Sequence, residues 1–212
     1  MPRQYTDPAL DDNEECSCST QEPSQRIVAT EEILSFMNGI IYLEPHGFGN
    51  DEPYSYVKKE IMRAYHNDHG TSEEKPITIF INSPGGSVNE ALGLYDQIMW
   101  MRKKYDLYVI TIAQGYAFSG GAIVLQAGTE RRITKNSYLM MHDVQSAGIE
   151  GDTKALENEV AIVKKMRASV LGILCSNLKM TNKKLQKILD EKGEWYMTAN
   201  EALKFGLVDE VI

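Results

Sequence analysis

The chain of 212 residues has no uninterrupted apolar run approaching the roughly 18–20 residues that a membrane span requires. A spanning helix is therefore not its organising element. The opening MPRQYTDPALDDNEECSCST also lacks any apolar stretch that would serve as a signal peptide, so a cytoplasmic location is the expectation. Cysteine is scarce. Two of the three, Cys16 and Cys18, sit in this polar opening and the third is Cys175, which is no disulfide framework. The C-x-C pair has no further Cys or His at ligand spacing nearby, and it reads as incidental thiols rather than a metal site. Positive charge is in deficit, 22 Lys+Arg against 30 Asp+Glu, so the basic footprint of a nucleic-acid binder is missing. No segment repeats.

What remains is the composition of a globular domain, 42% apolar and 25% charged, long enough to bury a sizeable core. The charge is unevenly placed. Asp7, Asp11, Asp12, Glu14, Glu15 and Glu22 against Arg3 put −5 of the net −8 into residues 1–25. That segment has no apolar periodicity and is expected to be a flexible acidic arm, with the folded domain running over 26–212.

From residue 39 onward, strand-like and helix-like segments alternate. GIIYLEP (39–45) reads as a strand and YSYVKKEIMRAY (54–65) as a helix. ITIFI (77–81), short and rich in β-branched residues, has the look of a strand covered on both faces. Asn82-Ser83-Pro84-Gly85-Gly86 then turns sharply. Ser87 and Glu90 form a capping-box pattern opening a helix to about Tyr105. LYVITIA (107–113) is the next buried strand, followed by a turn at 114–120 into a short helix, 119–127, that Gly128 can stop. ITK (133–135) and YLMMH (138–142) flank Asn136-Ser137 like a hairpin. Helices are expected at about 153–178 and, capped by Thr181, at 182–192; WYM (195–197) reads as a strand. Thr198 and Glu201 repeat the capping box for a last helix ended by Gly206. This alternation implies an α/β fold with parallel pairing and right-handed crossovers. Ligand sites in such folds gather where strands end in tight turns, here 82–86 and 114–120.

Ser119 stands at the entry of the short helix, before Gly120 and Gly121, either as an ordinary N-cap or as an exposed nucleophile. An oxyanion needs two donors about 3 Å from the developing charge, and the Gly120 amide and one from the Gly85-Gly86 turn are candidates. Of four histidines, His46, His66 and His69 fall in polar loops and read as solvated. His142 ends the apolar strand YLMM, where a general base would face the ligand edge, although many strand-end histidines are structural. Spacing alone leaves the orienting acid open among Asp190, Asp143, Asp152, Glu191 and Glu194.

INSPGGSVNEALGLYDQI, GYAFSGGAIVLQAG, NSYLMMH and WYMTANEALKFGLVDEVI together resemble the ClpP family, the proteolytic subunit of the Clp protease. The four blocks occur in family order over roughly residues 77–212, with a weaker match from IIYLEP. The resemblance implies a crotonase-like α/β fold, mostly parallel, with a projecting handle helix. It implies a serine endopeptidase with Ser119 as nucleophile, His142 as base and Asp190 as the orienting acid. Gly86 and Gly120 become the oxyanion amides. No metal or cofactor is implied. The implied partners are unfolded polypeptide, further copies of the chain in two stacked seven-membered rings, and an AAA+ unfoldase that would hydrolyse ATP.

The chain departs from the family pattern in several places. Gly120 replaces the usual Met after the serine, and Asp143-Val144 replaces Gln-Pro after the histidine, with SAGIEGD following. Asp143, beside the base, is placed to perturb it. Thr78 and Phe80 occupy two aromatic positions of the family's unfoldase-docking cleft, one lost and one kept. The alternatives are a non-catalytic ring subunit and an acyl-CoA enzyme of the same fold. The first would lose triad members, and the second would need a carboxylate base in these turns. Helix 153–178 carries two apolar stripes, Leu156, Val160, Val163, Val170, Leu174 and Ile162, Met166, Ile173, so both sides are expected to be covered. In the family this helix is the handle between rings, which implies a tetradecamer.

Overall fold

The computed structural model describes residues 38–43, 52–145 and 151–212. The acidic arm, Cys16, Cys18, His46 and most of SAGIEGD lie outside them. The elements are β1 (Ile40–Leu43), α1 (Glu52–His66), β2 (Ile77–Ser83), α2 (Val88–Tyr105), β3 (Val109–Phe118), α3 (Gly120–Leu125), β4 (Glu130–Ile133) and β5 (Tyr138–His142). They continue with α4 (Thr153–Asn177), α5 (Asn182–Lys192), β6 (Glu194–Thr198), α6 (Ala199–Phe205) and β7 (Glu210–Val211). No helix among the described residues is long and apolar enough to cross a membrane.

The seven strands form one sheet, and every pairing but one is parallel. β1, β2, β3, β4 and β7 follow one another, while β5 pairs with β3 and with β6, the last antiparallel. The mostly parallel α/β expectation is met. ITIFI alternates fully buried Ile77, Ile79 and Ile81 with half-buried Thr78 and Phe80, so one face is closed and the other partly open.

Two expectations fail at β3, for one reason. Residues 114–118 were expected to turn, but the strand runs on to Phe118. Its first half pairs with β4 (Ile110↔Glu130 to Ala113↔Ile133) and its second with β5 (Tyr116↔Tyr138 to Phe118↔Met140). One long strand thus serves two neighbours in succession. The expected hairpin is therefore absent. β4 ends at Ile133, earlier than supposed, and β5 leaves it to lie along β3 and β6. Glycine near a helix-like stretch misled as well. α3 stops at Leu125, and Gly128 instead permits close approach, since a Cβ there would lie 2.3 Å from Thr111 Oγ1.

Caps explain most helix boundaries. Ser87, Thr181 and Thr198 each accept from the amide three residues on, and the Thr198–Glu201 box is reciprocal. α6 ends at Gly206 with φ 86°, whereas α2 ends at Asp106, left-handed without glycine. α4 divides in two. Val170, Leu171 and Leu174 are buried, but no residue of 153–169 is, and Leu156, Val160 and Ile162 stand 40%, 47% and 42% exposed. Its first half projects as a handle. Cys175, expected within the core, is half-buried at its edge, where burial pushes its thiol upward.

Candidate active site

Three strand ends converge on Ser119. β2 runs beside β3 with a shift in register between Ile81 and Ser83, after which Ser83 pairs with Ala117. This brings the 82–86 turn against the end of β3. A Cβ on Gly85 (φ 94°) would lie 2.6 Å from Ser119 Cβ and 2.8 Å from the Phe118 carbonyl oxygen. Only glycine fits, for both φ and space. Gly86 follows with φ 136°. On the other side, the Ser119 amide donates to the Met140 carbonyl of β5 at 2.8 Å.

Ser119 itself has φ 51° and ψ −113°, a conformation that a residue with a side chain rarely holds and that costs of the order of 1–3 kcal/mol. Its side chain makes no cap hydrogen bond. The ordinary N-cap reading thus fails here, although Ser87 and Thr198, the same type of residue in the same position, do cap. Backbone pairing on both flanks holds Ser119 strained with its hydroxyl unspent on the helix.

His142 arrives by register. Phe118 and Met140 are partners in the parallel β3–β5 pair, so the strand that fixes Ser119 through Met140 carries His142 two residues further the same way. Ser119 and His142 line one cleft of about 540 Å³, together with Gly86, Gly120 and Val88. Its apolar wall is Ile123, Met141, Val163, Met166, Val170 and Leu174, the last four on one face of α4, so Met166, assigned to the second stripe from the sequence, faces the cleft with Val163 and Val170 instead. The stripe runs from buried Leu174 and Val170 out to half-buried Val163, so the handle helix roofs the cleft only as far as its own packing extends.

The expected third residue, Asp190, is elsewhere, and the antiparallel β5–β6 register sets Glu194, not Asp190, opposite His142. Asp190 does not line the cleft. Its Oδ1 accepts from Arg167 Nη2 at 2.8 Å, and its side chain is 63% exposed. The His142 Nδ1 lies 2.5 Å from the Asp143 carbonyl oxygen. A carbonyl only accepts, so this contact requires the proton on Nδ1 and leaves Nε2 with a lone pair. The backbone of Asp143 thereby fixes the tautomer of His142 but supplies no negative charge. The Asp143 carboxylate turns away, its Oδ1 accepting from the Val144 amide at 2.8 Å and its Oδ2 lying 2.9 Å from Arg167 Nε.

The sequence reading missed Arg167, which joins these two acids. A cation at 167, among the apolar positions 163, 166 and 170 that face the cleft, was the available signal. His69, read as solvated, is half-buried, and a Cβ on Gly39 would lie 2.7 Å from its ring. His66 is exposed as expected. Among the described residues, no group of three or more His, Cys, Asp or Glu is arranged to hold a metal ion.

A family model described as Clp protease matches residues 51–212. The chain is 36% identical over 141 residues to the ATP-dependent Clp protease proteolytic subunit of Deinococcus radiodurans, an alignment covering 66% of each protein. It is 31% identical over 201 residues to the ATP-dependent Clp protease proteolytic subunit 1 of Corynebacterium glutamicum, covering 90% of this chain and 94% of that one. With a strained serine and a histidine facing one cleft at the ends of adjacent parallel strands, and with these matches, the chain belongs to the Clp protease family.

Proposed function

We propose that the protein is a serine endopeptidase, the proteolytic chamber subunit of an unfoldase-coupled degradation machine. The observation that carries this is the strained Ser119, uncommitted to capping, in one cleft with His142. His142 Nε2 takes the Ser119 proton as the hydroxyl attacks a peptide carbonyl, and the imidazolium later protonates the leaving amine. The Gly120 and Gly86 amides are the donors for the oxyanion. Asp190 accepts a hydrogen bond from Nδ1–H in the working state and stabilises the imidazolium without taking the proton.

Substrate peptide lies extended between 86–89 and 143–145, both of which line the cleft, adding a strand held by main-chain hydrogen bonds. Such binding tolerates many sequences. The exposed stripe on α4 supports assembly into stacked rings of further copies. Exposed Tyr42 stacks on half-buried Phe80 with ring centroids 5.3 Å apart, an aromatic pair beside Thr78 that supports unfoldase docking on this edge. ATP hydrolysis belongs to that partner, and the cytoplasm is where the machine works.

A fluorophosphonate, which reacts with activated serines, is the test. The wild-type chain labels at Ser119, and Ser119→Ala and His142→Ala do not label. Labelling elsewhere, or none in an assembled sample, refutes the reading. Asp190→Asn is expected to lower peptide turnover by orders of magnitude, roughly 10⁴ in the best-studied triad.

A further inference from the structure

The cleft of Ser119 lies at the carboxyl end of β3, and a second cavity, of about 470 Å³, lies beyond its amino end. The ten residues of β3, at about 3.3 Å each, set roughly 30 Å between the two. The segment between α1 and β2, the last turn of α2 and the approaches to β3 and β4 enclose this second cavity. Peptide hydrolysis at Ser119 makes no use of it.

Arg102, which lines it, differs from the other arginines. Among the described residues, Arg63, Arg131, Arg132 and Arg167 each form an ion pair, and Arg102 forms none. It is half-buried at the end of α2. Its Nη1 donates to the Ala127 carbonyl oxygen at 2.6 Å and to Met99 Sδ at 3.3 Å. Nε is closed off from solvent and meets no acceptor. The Nε–Nη2 edge, one that a planar carboxylate can take with two parallel bonds, is thus uncommitted. Burial pulls the guanidinium below the ordinary arginine pKa, with the Tyr95 phenol acting the other way. Buried charges are ordinarily paired, and this one has lost water without gaining an anion. The same cavity holds the Lys103 ammonium and Thr129, whose Oγ1 accepts from the Val109 amide and so keeps its own hydrogen to donate. Glu73 and Asp106, both exposed, also line it and oppose a doubly charged phosphate more than a singly charged carboxylate.

We propose that this cavity is a binding site for a carboxylate, with Arg102 as its fork and Lys103 and the Thr129 hydroxyl as further donors. A carboxylate matches the uncommitted edge in shape and supplies the missing charge. Two sources carry this chemistry, a small acid in solution and the chain's own acids Asp7, Asp11, Asp12, Glu14, Glu15 and Glu22. Gly39 packs against His69, two residues before Thr71, so the chain leading from those acids joins the sheet beside this cavity.

The test is calorimetric titration of the full chain at low salt with hippurate, a carboxylate on an aromatic tail, and with inorganic phosphate in parallel. Saturable hippurate binding is expected, weakened at least ten-fold by Arg102→Gln and less by Lys103→Ala. A second full-length chain, with the six acids of residues 1–25 changed together to Asn or Gln, separates the sources. A several-fold gain in its hippurate affinity supports the site and makes the chain's own acids its occupant, and an unchanged affinity supports the site with a free acid as occupant. Absence of saturable binding in both chains overturns the proposal. So does hippurate binding that survives Arg102→Gln, which then belongs to another site, or phosphate binding tighter than hippurate. Should Arg102→Gln fail to fold by circular dichroism, Arg102→Lys, which keeps the charge without the fork, decides in the same way. None of these outcomes depends on labelling at Ser119, so the peptidase reading and this site stand or fall separately.

Discussion

The floor of the cleft and its roof are built on opposite principles. Beneath Ser119, every constraint comes from the chain itself: β2 and β5 flank β3, Gly85 packs at contact distance, and the Met140 carbonyl takes the serine amide. The roof is α4, whose second half is fixed by buried Val170, Leu171 and Leu174 and whose first half leaves Leu156, Val160 and Ile162 toward solvent. Ser119 is thus positioned by a closed core, while the roof hangs from a helix whose first half the subunit does not bury.

The largest expected effect comes from disturbing the floor. Gly85→Val places a branched side chain where even a Cβ meets Ser119 Cβ at 2.6 Å, in a φ of 94° that valine does not hold. Ser119 must move, and displacement of about 1 Å can cost roughly 10²-fold in rate. Fluorophosphonate labelling and kcat/KM of the variant are expected to fall by at least that factor. Near-normal rates would mean that the floor is as pliable as the roof.

Next comes a paired experiment on the two halves of α4. Leu174→Ala empties a buried position and is expected to cost about 2–5 kcal/mol of subunit stability, read by denaturant unfolding. Leu156→Ser, Val160→Ser and Ile162→Ser combined remove exposed apolar groups and are expected to leave subunit stability within about 0.5 kcal/mol per site. They are expected instead to lower the assembled mass in light scattering. Equal destabilisation by both, or full assembly of the triple variant, would erase the distinction between the halves.

How much of this was legible in the sequence follows the same division. Elements governed by local rules were readable: the capped starts at Ser87, Thr181 and Thr198, the isoleucine-rich β2, and the left-handed Gly206. The fork of β3 was not, because Gln114-Gly115 looks like a turn locally and becomes strand only through pairing with β5. There the Gly115 amide donates to Ser137 Oγ at 2.7 Å, in a contact spanning 22 residues. Of the site, Ser119, His142, Gly86 and Gly120 lie at strand ends or turns, where position in the fold follows from sequence order. Asp190 and Arg167 are helix residues whose partners depend on how α4 and α5 pack, and spacing alone left five acids open. The resemblance singled out Asp190 but gave no hint of the guanidinium on it.

The smallest effects compare one cap in each region. Thr198, itself exposed, caps α6, whose Ala199 and Ala202 are buried in the core, its hydroxyl and amide both meeting Glu201, and Asp152 caps the start of α4, its Oδ1 accepting from the Ala155 amide at 2.9 Å. Thr198→Ala is expected to lower global stability by about 1 kcal/mol. Asp152→Ala loses a cap of the same kind, yet its helix turn belongs to the unburied half, so it is expected to fray that turn with little change in global unfolding. Hydrogen exchange at 153–158 set against the denaturant midpoint separates the two results. pH sharpens the contrast further. The Thr198 amide and then its hydroxyl, by donating to the Glu201 carboxylate, hold that group below the usual glutamate range. A lowered folded-state value means that the contribution is present above the unfolded value and disappears as pH falls through the folded one. Glu201→Gln is therefore expected to flatten that part of the acid limb of the stability profile. An acid limb identical to wild type would show that the box contributes geometry and no charge.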